Sequence, residues 1–116
     1  MSLLLSLFLA AAQPQRHPAL ARAGDCGWVH GRFNFANGSS IQRIWVIGTN
    51  HMLALHDDDD YYPPSMQRLV KSGRFVPFEH YMYGDFLVCA CEQRIEGHMQ
   101  HVRFKAAKNL IVVSDH

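Results

Sequence analysis

No apolar run in this chain reaches the roughly 20 residues that a membrane-spanning helix requires, so no membrane span is expected. Several signatures of chemistry are missing as well. The sequence has no Gly-rich phosphate loop, no G-x-S-x-G elbow, no Cys-x-x-Cys pair and no His-Glu-x-x-His helix. That removes the familiar marks of nucleotide binding, Ser hydrolases, thioredoxin-type redox exchange and zinc proteases. Charge of one sign is scarce too: 11 Lys and Arg stand against 10 Asp and Glu, a formal net charge of +1. Nucleic acid is therefore not an expected partner, because phosphate backbones call for a basic face.

What is present begins with a leader-like segment. "MSLLLSLFLAAAQPQRHPALARA" carries an apolar run from Leu3 to Ala12, followed by small-x-small sites ending at Ala12 and at Ala23. The length fits the apolar region of a signal peptide, although no Lys or Arg precedes it. Residues 1–23 are read as a cleaved signal peptide and 24–116 as one domain, placing the protein in the periplasm or outside the cell. Cleavage after Ala23 leaves 93 of the 116 residues and a formal net charge of −1. A chain of that size builds one modest core.

Beyond Cys26 the pattern is strands and turns. In "CGWVHGRFNF", Val29, Phe33 and Phe35 share one face with two glycines, while Trp28, His30 and Arg32 share the other. Such period-two alternation marks a half-buried strand. Asn37-Gly38 is a hairpin signal, and "IQRIWVIG" reads as a strand buried on much of both faces. "MLALH" is a short third strand. "SMQRLVKSG" is the one helical piece, with Ser65 as N-cap, Met66, Leu69 and Val70 as the apolar stripe and Gly73 at its end. "GDFLVCACEQR" reads as the fourth strand and "HVRFKAAKNLIVV" as the fifth, broken near Lys108-Asn109. This order predicts a mainly β fold: a small five-stranded OB-like barrel with one short helix between strands 3 and 4.

Three cysteines remain after export, which in an oxidising compartment means one bridge and one thiol. Cys89 and Cys91, at i and i+2 of an extended strand, lie about 6.5–7 Å apart, too far to bridge each other. Cys26 therefore pairs with Cys89 or with Cys91. A divalent metal is the alternative use of these residues, at Cys91 with His98 and His101. The other candidate is the acidic run with His56, Asp57, Asp58 and Asp60. A Cys-x-Cys on a strand does not converge on an ion as a Cys-x(2–4)-Cys turn does. The acidic run lacks the Gly and distant Glu of an EF-hand loop. No bound cofactor is expected.

The remaining candidates point to binding rather than catalysis. Trp28, Trp45, Tyr61, Tyr62 and Tyr81 are rings able to line a groove; Trp45 lies within an apolar strand and reads as core, whereas Trp28 shares a face with His30 and Arg32. OB-like barrels bind through the face around strands two and three, here Arg43, Trp45 and His51 beside the 57–62 loop. An exported non-enzymatic module for an envelope protein, peptide or glycan is the reading these residues favour. A small hydrolase using Asp85 or Glu79 with a histidine is the enzymatic alternative.

"VHGRFNFANGSSIQRIWVIGT", "GDFLVC" and "GHMQHV…AAKNLIVV" together resemble small exported bacterial β-rich proteins of unknown function. In these a "HGR" strand, an Asn-Gly turn and an "RIW-x-[IV]-GT" strand follow one another. The resemblance implies a periplasmic or secreted domain and a bridge between Cys26 and Cys89, the cysteines shared with that group. This chain departs from the pattern by carrying Arg103 where the group has a cysteine and by adding Cys91, which stays the alternative partner.

Overall fold

The alternation of the first strand is realised over its whole length, and the sheet is built outward from it. The computed structural model describes residues 20–35, 41–55 and 62–114. It holds β1 (Cys26–Phe35), β2 (Gln42–Val46), β3 (Met52–Leu55), α1 (Pro64–Lys71), β4 (His80–Ala90) and β5 (Gln100–Ser114). The fold is mainly β with one short helix between the third and fourth strands. The sheet closes on itself in the order β1-β2-β3-β5-β4, with β4 returning to β1. All neighbours are antiparallel except β3 and β5, which run parallel.

Inward positions of every strand fill the ring. Val29 and Phe33 from β1, Ile44 from β2, Leu53 and Leu55 from β3, Met82, Phe86 and Val88 from β4, and Val102 and Phe104 from β5 are all buried. Phe33 is the hub, with the Phe35, Phe75 and Phe104 ring centroids 5.7, 5.8 and 5.7 Å away. Each fully buried side chain of this size contributes about 1.5–3 kcal/mol of transfer free energy. α1 lies against β5, and its Met66 drops into the same core.

Two glycines make the closure possible. Gly31 and Gly84 are cross-strand partners between β1 and β4. A Cβ on Gly31 would stand 2.5 Å from Ile44 Cγ2, and one on Gly84 would stand 3.0 Å from the Lys108 carbonyl oxygen. At both points the neighbour stands closer than a Cβ ordinarily allows, so a side chain there would force it to shift.

Several boundaries differ from the sequence reading, each for a local reason. β4 starts at His80, not Gly84: the glycine is the mid-strand point where β5 crosses closely. Cys91 lies past the end of β4, so it does not share a strand face with Cys89. β5 does not break at Asn109; it bulges there, with Asn109 at φ +58° and two residues of β5 facing Gly84 alone. Asn tolerates this left-handed conformation better than most residues. Ser65 does not cap α1. The helix starts after Pro63, without a side-chain cap, and Ser65 Oγ instead donates to the Ala107 carbonyl at 2.8 Å. Of the apolar stripe, Met66 is buried whereas Val70 is 39% exposed. Trp45 is not core. Ile44 takes the inward position of β2, so alternation turns Trp45 to the outer face.

Cys26 and Cys89 are bridged. They are direct partners in the β1–β4 register with Cα atoms 4.0 Å apart, while Cys91 stays outside the bridge, half-buried. The bridge spans a sequence separation of 63 residues. In the chain-entropy description that removes about 4 kcal/mol of unfolded-state freedom. Urea unfolding of the Cys26→Ala/Cys89→Ala variant is therefore expected to show a loss of about 4 kcal/mol. Cys91→Ala should cost about 1 kcal/mol or less. Equal losses for the two variants would contradict this division of roles.

Candidate functional site

Residues excluded from the ring interior by alternation form an outer face centred on β1. Three of its outward positions, Trp28, His30 and Arg32, each meet a partner from another strand. Trp28, 45% exposed, lies under the Lys108 ammonium of β5, 4.3 Å from the ring centroid. His30 Nδ1 is 3.0 Å from Asp85 Oδ1 of β4, its direct cross-strand partner. The Arg32 guanidinium sits between two rings, 5.1 Å from the Trp45 centroid and 4.4 Å from the Tyr81 centroid. The Trp45 ring is fixed from its far side, because Nε1 donates to the Thr49 carbonyl at 2.8 Å. Cation–π contacts of this kind hold a flat cation and two rings in one orientation.

The middle unit is a short polar chain. Asn109 Nδ2 donates to Asp85 Oδ2 at 2.8 Å, and Asp85 Oδ1 meets His30. The bulge of β5 aims the Asn109 side chain. The hydrogen bond from Asn109, then that from His30, holds the Asp85 carboxyl below its ordinary 3.8. His30 is thus oriented, with Nε2 turned away from its partner. Among the described residues its side chain bonds to Asp85. Glu79 lies elsewhere, exposed at the start of β4.

The other residues singled out from sequence fare differently. Arg43 is half-buried on β2, facing Asn34 and Ala54. His51 is buried, only 8% exposed, because the turn after β2 folds back: Val46 N–H donates to its carbonyl and its own N–H donates to Thr49 Oγ1. It belongs to the support of the Trp45 turn, not to the open face. Tyr62 packs on the core and hydrogen-bonds Gln42. His56, Asp57, Asp58, Asp60 and Tyr61 lie outside the described residues, as does the Asn37-Gly38 turn.

His101 Nδ1 is 3.1 Å from Glu92 Oε2, and His98 is exposed in the β4–β5 turn. The Cys91 N–H donates to the His101 carbonyl at 2.9 Å. Among the described residues no group of three or more His, Cys, Asp or Glu side chains is placed to hold a metal ion.

Lys108 and Asn109 are the participants that sequence reasoning passed over. The signal was there: a Lys-Asn pair where a strand appears to break marks a bulge, and bulges re-aim side chains. No protein-family model, curated protein or solved structure matches the chain.

Burial holds the His51 pKa below 6.5, the charge of Arg94 adds to this, and Gln100 and Glu96 partly offset it. The folded state therefore disfavours the protonated ring. As pH falls below 6.5 the unfolded chain gains a proton that the folded chain resists, so stability drops until the lowered folded value is passed. Thermal unfolding between about pH 7 and pH 5 is expected to show a steeper loss for the wild type than for His51→Gln. Parallel curves would show that His51 is not the linked group.

Proposed function

We propose that this chain is an exported, non-enzymatic OB-like module that binds an envelope protein, peptide or glycan through the outer face of β1 and β2. The observation that carries the reading is the Trp45–Arg32–Tyr81 stack, three rigid strand positions whose rings and cation are held by one another. Trp28, four residues before Arg32, extends the platform along β1. Flat rings with a polar edge suit stacking on sugars and on peptide groups, and they lose little side-chain freedom when they bind. The strand order, with α1 between β3 and β4 and β5 parallel to β3, supports the OB-like reading. Barrels of that type bind on the surface to which Arg43 and Trp45 belong.

Export is supported by the Cys26–Cys89 bridge, since such bonds persist in oxidising compartments. Among the described residues no helix is long and apolar enough to cross a membrane. Packing favours a mature chain that starts before Leu20, in place of the cleavage after Ala23 expected from sequence. Leu20 is 2% exposed within the core, and its carbonyl accepts from Gln100 Nε2 at 2.8 Å. The Ala21 carbonyl accepts from Arg94 N–H. Cleavage after Ala23 would remove these contacts and leave a cavity, whereas cleavage after Ala12 keeps them. The intact mass of the exported protein is expected to correspond to a chain starting at Gln13. A mass starting at Gly24 would overturn this assignment.

Binding is tested by titrating the exported protein against purified cell-wall sacculi, envelope glycans and a library of envelope peptides. At least one class should bind the wild type, and Trp28→Ala/Arg32→Ala should weaken it by about tenfold or more at unchanged thermal stability. Unchanged affinity in the variant, or binding to none of the three classes, would overturn the reading.

A further inference from the structure

α1 and β5, which pack against each other, share a property visible in their sequences. From Tyr61 to Phe78, a stretch that contains α1, no Asp or Glu occurs, and none occurs from Gln100 to Ser114, which is β5. Arg68, Lys71 and Arg74 fall in the first stretch and Arg103, Lys105 and Lys108 in the second. Where α1 meets the bulge of β5, a concavity of about 540 Å³ is lined by Arg68, Arg74 and Lys108, with Ser65, Ser72 and Asn109 between them. Among the described residues neither Arg68 nor Arg74 has a carboxylate within ion-pair distance.

A second hollow of about 410 Å³ continues the first, sharing Leu69, Arg74 and Leu110 and reaching His80. His80 Nδ1 accepts from the Val76 N–H at 2.8 Å, which puts the ring proton on Nε2 as a further donor. A neighbouring pair of hollows walled by cations and donors, without an acid in either lining among the described residues, concentrates anions. Basic side chains in a last helical turn also offset the helix dipole. Arg74 and Lys108, however, lie off the helix and line the same cavity.

We infer that the groove between α1 and the β5 bulge is a binding site for a small molecule bearing two or more oxyanion groups. Arg68 and Arg74 supply forked donors suited to carboxylate or phosphate oxygens. Lys108 borders the groove, with its ammonium over Trp28 on the adjoining face. The size of the cavity falls in the range of small-molecule sites. The groove adjoins the β1 face through Lys108 and Asn109, whose side-chain heads meet Trp28 and Asp85 there, whereas Arg68 and Arg74 belong to the groove alone.

The test is an amide chemical-shift titration of the full exported chain with pyrophosphate and, separately, with citrate. Shifts are expected to concentrate on residues 65–74 and 107–110. Arg68→Gln/Arg74→Gln should weaken binding by about tenfold or more, while Lys71→Gln, on the same helix but outside the cavity lining, should change it by about twofold or less. Saturation by pyrophosphate alone assigns phosphoryl ligands, by citrate alone carboxylate ligands, and by both the shared oxyanion chemistry; each supports the site. No localised shift with either anion, or an equal loss from Lys71→Gln, would overturn it.

Discussion

Residues 31–33 of β1 are paired on both sides at once, with 46 to 44 of β2 on one edge and 84 to 82 of β4 on the other. Everything else hangs from that double pairing. It brings β2 against Gly31 more closely than a Cβ ordinarily allows, and it places the first and fourth strands in a register that faces Cys26 with Cys89. Once the ring is closed, the inward residues have one interior to fill and the outward ones one continuous surface to build. Closure also removes the free edges that a short open sheet would expose.

The same constraint organises the chemistry of the surface. β1 is flanked by β2 and β4, which bring cross-strand partners to Arg32 and His30, while Lys108 of β5 reaches over β4 to Trp28. Arg32 finds rings, His30 finds a carboxylate and Trp28 finds an ammonium. Cross-strand pairs of this kind each contribute about 0.2–1 kcal/mol, small as stability but enough to fix orientation. The bulge at Asn109 serves both regions: it turns the Asn109 side chain onto Asp85 and opens the groove against α1.

Much of the architecture was legible in the chain. The alternation of Val29 and Phe33 with Trp28, His30 and Arg32 identified the first strand and both its faces. The helix was recognisable from Met66 and Leu69, and its place after the third strand followed. Trp45 was misplaced, because an apolar strand next to its own hairpin partner cannot reveal which side faces the interior. The start of β4 was missed because Gly84, a residue that usually ends a run, sits where β5 passes too close for any other. Ser65 has the composition of a cap but spends its hydroxyl on a carbonyl 42 residues away.

The sequence by itself determined the local facts: which segments extend, which turn, which cysteines are available and that no single charge dominates. Those follow from periodicity and composition, which act over a few residues. Only the tertiary structure decided which cysteine pairs with Cys26, that Leu20 belongs to the core, and that Asp85 meets His30. It also decided that Arg68, Arg74 and Lys108 share one cavity. Each of these depends on strand register and on a bulge, and register is set by contacts between segments tens of residues apart.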